Sequence, residues 1–271
     1  MKKKAIILIV AAVVFVAAAV AYTVNSVQMR LDEPVFLTHY YDMKNFFRAR
    51  TLILNYITNR SDNRTVTAVS FPESSNLPIS LDGEYPLNTY RYHKSNRIFL
   101  HSDIPFETEL EPTTLTKVHI EFSDGTKGDF DIGHIVVENN PADSKRPIGS
   151  QSVGTSNMGD TTETFLAFED CQLTDIIPFF EEGEGLNVNT KINGSSDYVL
   201  PIELHKDDTI TFDTAVSAKD GYEFNAYTLD KALVLEDMEG NVYHEYLSNI
   251  GYTPNFSDNG VVGFLRQRGA I

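Results

Sequence analysis

Asp129-x-Asp131-x-x-His134 comes closest to a metal-binding set in this chain, with two carboxylates and an imidazole inside six residues. The run around it alternates polar and apolar, so strand periodicity predicts the two Asp on one face and His134 on the other, with Phe130, Ile132 and Val136. A half-buried histidine is expected there rather than a ligand. Calcium suits loop carboxylates and carbonyls, and Asp207-Asp208 and the Asp237/Glu239 turn are the candidates. Neither follows the calcium-loop pattern of a helix pair, and both read as turn residues. No residue is therefore assigned to catalysis, cofactor or metal, and Ca2+ is the one cofactor the acidic loops would suit.

Other reactive types are sparse. Gly149-Ser150-Gln151-Ser152-Val153-Gly154 lacks the spacing of a serine nucleophile turn. Ser217-Ala218-Lys219 is a lone serine–lysine pair, expected in a solvated turn. The single cysteine, Cys171, has no histidine near it in sequence and reads as a buried apolar residue. Glu107, Glu109 and Glu111 share one side of a strand or loop and should face water. Trp is absent, which weakens sugar stacking, although Tyr40-Tyr41 and Tyr90/Tyr92 could be exposed. No glycine-rich phosphate loop opens a helix.

The elements behind these residues are β. Val118, Ile120 and Phe122 alternate with Lys117, His119 and Glu121, then Asp124-Gly125 turns the chain into Asp129–Val136, a hairpin. Thr51–Thr58 and Arg64–Phe71 flank a polar turn and predict a second hairpin. Asp42–Asn59 could instead be a helix capped by Asp42, but its β-branched end favours strands from about Ala49. Tyr85–Tyr92 and Arg97–His101 add short strands. Leu186, Val188 and Ile192 lead to Asn193-Gly194, Tyr198 to Leu204 alternate on the way out, and Lys206-Asp207-Asp208 turns toward Ile210 and Phe212. Leu233–Leu235 and Val242–Tyr246 bracket another hairpin turn, and Asp258–Arg268 predicts a short helix. Residues 138–163 carry no hydrophobic periodicity and are dense in Ser, Gly, Asn, Pro and Thr. They predict a flexible linker or long loop between a β domain at 34–137 and a β-sandwich domain at 164–271. The expected fold class is mainly β, a transmembrane helix followed by two antiparallel β-sandwich-like domains.

The N-terminal segment sets the address. Ala5–Val24 is twenty residues without charge, Gly or Pro, which as a helix spans about 30 Å, the thickness of a bilayer's hydrocarbon core. Lys2, Lys3 and Lys4 precede it and should stay cytoplasmic, sending the rest outward. Residues 1–33 thus read as a basic flank, an anchor at 5–24 and a polar spacer. Cleavage after Ala19 or Ala21 would give a secreted protein instead. No cysteine stands at the end of the run for lipid modification. Beyond residue 24, 19 Lys+Arg face 38 Asp+Glu, a balance of −19. That repels phosphate backbones, so nucleic acid is excluded as a partner.

Lys117–Val137, Leu200–Phe212 and Leu235–Tyr246, taken together, resemble membrane-anchored, β-rich surface proteins of Firmicutes, for which no activity is assigned. The resemblance implies the same compartment and a β fold, and carries over no functional residues. A single cysteine in an exported chain also fits a Gram-positive bacterium. The function expected is a non-enzymatic binding or scaffolding module for a protein or cell-wall partner. The alternatives are an exported hydrolase using paired carboxylates, which leave no sequence signature, and an accessory subunit of a membrane complex, for which Ala17 and Ala21 supply small-residue spacing.

Overall fold

A computed structural model describes residues 13–17, 19, 20, 23, 24, 27–44, 46, 51–74, 77–102, 105, 108–139, 146–156, 159–178 and 185–271, without the side chains of 178 and 248–250. The chain is mainly β. Among the described residues no helix is long and apolar enough to cross a membrane. Much of the expected anchor lies outside them; its described residues 13–17, 19, 20, 23 and 24 are helical and exposed.

Three sheets build the body. The first has the order β1 (Val35–Phe36), β3 (Thr51–Asn59), β6 (His93–His101), β5 (Ser80–Thr89). The second has β12 (Leu186–Ile192), β14 (Thr209–Ala218), β10 (Thr161–Ala167), β9 (Ile148–Thr155). The central sheet contains β4 (Val66–Ser70), β7 (Leu110–Phe122), β8 (Lys127–Asn139), β2 (His39–Met43), β15 (Ala226–Asp237), β11 (Cys171–Pro178) and β13 (Ile202–Leu204), with β16 (Val242–Tyr252) on the other edge of β15. The expected hairpin at Asp124-Gly125 forms between β7 and β8, with Gly125 at φ +82°. The hairpin of β15 and β16 forms as well.

Two expected pairings do not. β3 joins β1 and β6, whereas β4 joins β7, so the run at 59–63 carries the chain from one sheet to another. Likewise Asn193-Gly194 turns with positive φ at both residues, but the chain beyond it has no ladder with β12, which pairs with β14. Both strands of each expected pair are amphipathic, and a sandwich satisfies that pattern as well as a hairpin does.

β2 connects the two halves. Its residues pair in parallel with β8 on one side, His39 opposite Gly133, and with β15 on the other, His39 opposite Ala226. On that same edge of β15, β11 takes over from Lys231 onward. Successive β2 side chains go to opposite faces. Tyr41 and Met43 enter a core shared with the first sheet, including Phe36, Leu54, Ile98, Ile120 and Ile135. Tyr40 stacks on Tyr227, ring centroids 5.5 Å apart, in a cluster with Leu186 and Val188 of the second sheet. The two small sheets therefore cover opposite faces of the central one. A further core beneath the second sheet gathers Phe165, Phe212, Leu233, Leu235 and Cys171.

The stretch 138–163, expected as a linker, thus contributes strands: β8 runs to Asn139, and β9 and β10 pair from Ile148 onward, while 140–145 and 157–158 lie outside the described residues. β9 is an edge strand whose residues after Gly149 are exposed, so it needs no apolar alternation. The C-terminal helix (Asp258–Gln267) is capped by Ser257, whose Oγ accepts the Gly260 N–H at 3.1 Å. Val261, Phe264 and Leu265 bury into the first core, so the end of the chain closes the sandwich that its beginning started. The expected division at 137/164 is crossed twice, by β2 in the central sheet and by this helix in the first core.

His39 locks β2 from the first-core side. The Asn55 backbone N–H donates to its Nε2 at 2.9 Å, so Nδ1 bears the proton and donates to the Ile132 carbonyl at 3.0 Å. Burial lowers its pKa to about 4. Opposite it, Gly133 has φ +97°, and a Cβ there would meet the His39 carbonyl oxygen at 2.4 Å. Gly133→Ala should therefore force β2 from β8 and destabilise the whole body by about 4 kcal/mol or more, read by denaturant unfolding. Protonation of the unfolded chain at His39 near pH 6.5 has no folded counterpart until about pH 4. Stability from this group is then fully present above pH 6.5 and falls through that window by roughly 3 kcal/mol, at about 1.4 per unit. Chemical unfolding at pH 7, 5.5 and 4.5, compared with the His39→Gln variant, should show the wild-type slope flattened.

Candidate functional site

The densest buried charge lies where β2 ends and β11 takes its place against β15. The bulge between Leu229 and Lys231 falls at this change of partner. Asp230, buried in the bulge, accepts the Lys44 N–H at 2.9 Å through Oδ2 and so ends β2. Lys44 then extends its ammonium to two carboxylates, Glu138 Oε2 at 2.8 Å and Asp42 Oδ1 at 3.6 Å. Burial raises the Asp42 pKa, with Lys44 opposing it. Burial works against the charge of Lys44 as well, but the hydrogen bond to Glu138 and the field of Asp42 outweigh it and hold that pKa up. Asp42 and Glu138 are two carboxylates brought together on one ammonium. The lysine sits between them, where a substrate and its water would have to enter. The geometry fits an ion pair that neutralises a strand end more closely than an acid and base flanking a scissile bond.

Two more contacts tie buried charged residues of the central sheet, Lys231 and Glu245, to the second sheet and the residues leading into it. Lys231 Nζ donates to Thr190 Oγ1 at 2.5 Å, and Arg146 Nη1 lies 3.2 Å from Glu245 Oε2. Nothing in local sequence announced these partners, since each pair joins residues about 40 or more apart or from different sheets.

The sequence candidates disperse. Gly133 and the bulge opposite it shift the phase of β8, so Phe130, Ile132, Ile135 and Val137 are buried while His134 turns outward with Asp129 and Asp131. The expected opposition of faces is thus corrected: all three share the exposed face, and Asp129 Oδ1 instead contacts His119 Nδ1 at 2.5 Å. Among the described residues no group of three or more His, Cys, Asp or Glu could hold a metal ion. Asp208 Oδ2 accepts the His205 N–H at 2.8 Å, as a turn residue does. Asp237 accepts from the backbone N–H groups of Glu239 and Asn241, the Asn241 amide and the Tyr243 hydroxyl, and these donors hold its pKa far down. It borders an open acidic hollow of about 440 Å³ with Glu169, Asp170 and Glu239, into which Lys206 also faces.

Cys171 is buried, and burial pushes its thiol up to about 11, leaving it unreactive. Ser217 is exposed on β14 rather than in a turn. Glu109 and Glu111 are exposed; Glu107 lies outside the described residues. Tyr41 and Tyr90, two of the tyrosines that could have served sugar stacking, are buried and point into the first core.

The exposed apolar surface is elsewhere. On the outer face of the first sheet, Tyr85, Pro86, Leu87, Arg97 and Phe99 line a groove of about 310 Å³. Tyr85 is 55% exposed and Leu87 40%. Tyr85 meets Phe99 edge-on, centroids 5.5 Å apart, and Arg97 Nε donates to Asn55 Oδ1 at 3.2 Å. β5 forms the edge of this sheet. The sequence places Tyr85 and Phe99 on strands, but only the β5–β6 register brings them together.

No family model matches this chain, and no curated protein matches it either. Among solved structures, a collagen adhesin from S. aureus aligns over 83% of this chain and 92% of its own, at 8% identity and a TM-score of 0.21. A score that low does not establish a common fold.

Lys44→Ala would leave Asp42 and Glu138 facing each other without their cation. It should cost about 3 kcal/mol at neutral pH, and part of that loss should return as pH falls toward 4.5 and Asp42, whose pKa burial already raises, takes up a proton. Denaturant melts of the variant across that range measure both.

Proposed function

We propose that this chain is a single-pass, membrane-tethered extracytoplasmic protein that binds a protein or cell-wall partner and catalyses no reaction. One observation carries the tether. Val13, Val14, Phe15, Val16, Val20, Val24 and Val27 are each 50% to 75% exposed on a helical segment. Apolar side chains on this scale are stabilised by leaving water, at roughly 25 cal/mol per Å². A helix apolar on all sides finds that environment in a bilayer. Lys2–Lys4 on one side and an acidic body on the other favour an outward C-terminus.

The binding role rests on the groove at Tyr85, Leu87 and Phe99. An aromatic and apolar strip beside an edge strand suits a ligand that presents an apolar face. The carboxylate pair at Asp42 and Glu138 is occupied by Lys44, which favours binding over hydrolysis.

Membranes from cells producing the full chain should retain it through alkaline carbonate extraction, with the body digestible by protease added from outside. Release into the wash, or protection of the body in intact cells, would defeat the tether or its orientation. Tyr85→Ala combined with Leu87→Ser should lower retention of the body on isolated cell envelopes at least tenfold while shifting Tm by only about 2 °C. Unchanged retention would remove the groove from the binding role.

A further inference from the structure

Resting on the tether just proposed, we infer that one end of the first sandwich is a membrane-resting surface. Arg30, Arg60 and Arg91 there would take the phosphates of anionic lipid headgroups. The inference comes from how the helical segment meets the body. Asn59 grips Leu31 on both sides: its Oδ1 accepts the Leu31 N–H at 2.9 Å, and its Nδ2 donates to the Leu31 carbonyl at 2.7 Å. His93 Nε2 lies 2.7 Å from the Met29 carbonyl oxygen, and Leu31 is buried in the first core. The chain from residue 29 onward is therefore held by the body and does not act as the free polar spacer that the sequence predicts.

Distance follows from helix rise. Val24 closes the apolar run, and Arg30 lies six residues later, a separation of about 9 Å at helical rise, with 27 and 28 helical and Met29 already in a turn. A headgroup layer is roughly 5–8 Å deep on each side. The end of the sandwich that holds Leu31 is thus placed at the outer boundary of the headgroup layer, within reach of long arginine side chains. That end is made of the turn after β3 and the turn before β6, joined by the Arg60 N–H donating to the Tyr92 carbonyl at 2.8 Å.

The chemistry of this end differs from the rest of the body. Arg30, Arg64 and Tyr92, together with Asp32, Asp62 and Asp124, line one polar hollow of about 630 Å³. Arg64 is committed to Asp62, Nη2 to Oδ2 at 2.8 Å, and lies over the Phe122 ring at 4.8 Å. Arg30, Arg60 and Arg91 are exposed, with Arg91 resting against the Tyr92 ring at 5.3 Å. Three exposed guanidinium groups beside a tyrosine, on a body of charge −19, are placed where anionic headgroups attract arginine and where amphipathic rings settle.

The test uses the full chain with Cys171→Ala, reconstituted in phosphatidylcholine vesicles with roughly one-third phosphatidylglycerol. Nitroxide labels are placed at Asn63→Cys, in the turn after β3, and at Ser80→Cys. Ser80 pairs with His101, eight residues along β6 from His93, or about 26 Å toward the far end of the sheet. The label at 63 should be shielded at least threefold from a water-soluble nickel relaxant relative to the label at 80. Changing Arg30, Arg60 and Arg91 together to Gln should abolish that shielding, and about 50 mM inorganic phosphate should leave it intact.

Equal accessibility at 63 and 80 in vesicles that float with the protein would overturn the membrane-resting surface while sparing the tether. Shielding that persists in the triple variant, or in pure phosphatidylcholine, would overturn the role of the arginines. Shielding lost to phosphate would assign the site to the free ion rather than to lipid. Failure of the protein to float with vesicles would remove the tether, and this inference with it.

Discussion

Strand β2 can lie between β8 and β15 only because Gly133 presents no Cβ to the His39 carbonyl. Five residues then join the two parts of the central sheet. Without β2, β7 and β8 would end at an open edge, and the N-terminal part of β15 would lose its partner on one side. Parallel strands are covered on both faces, and β2 obeys that rule: Tyr41 and Met43 serve one core, and Tyr40 serves the other. His39 adds a constraint on charge. Its ring must stay neutral to accept from one backbone group and donate to another, so the join between the halves is specified by a tautomer as well as by packing.

From this join the polar organisation follows. β2 is short and β11 continues along the same edge of β15, so backbone groups are exposed at the change of partner. Asp230 answers the Lys44 N–H, and Lys44 in turn meets Glu138 and Asp42. A buried strand end needs such partners, since an unpaired backbone donor or a lone carboxylate there costs more than the ion pair. The most suggestive carboxylate pair in the molecule is accounted for by architecture. The exposed aromatic and basic groups sit at the periphery, in the groove at Tyr85 and Phe99 and around Arg30 and Tyr92.

The local grammar of the sequence was legible where an element answers to its neighbours. Asp124-Gly125 and the turn at 237–241 made the hairpins their residues require, and Ser257 with the apolar spacing after it made the C-terminal helix. Pairing was legible only when the partner came next in the chain. β3 and β4 alternate as hairpin strands do, yet they belong to different sheets, because amphipathicity tells a strand which face is wet and not which strand lies beside it. His134 was placed on the wrong face for a related reason: strand period holds only until a bulge, and Gly133 resets it.

By itself the sequence determined the class of the fold, the acidic surface, the lack of a recognisable reactive motif and the apolar character of residues 5–24, because composition and period are local properties. Only the tertiary structure decided that the polar run after 138 contributes the edge strand β9 and the start of its neighbour β10, and that the last helix returns to the first core. It also decided that His39–Met43 join the halves and that Leu31 is held in Asn59's grip. Each of these depends on residues far apart in the chain meeting across a sheet, and the energy of such a meeting is written in neither segment alone.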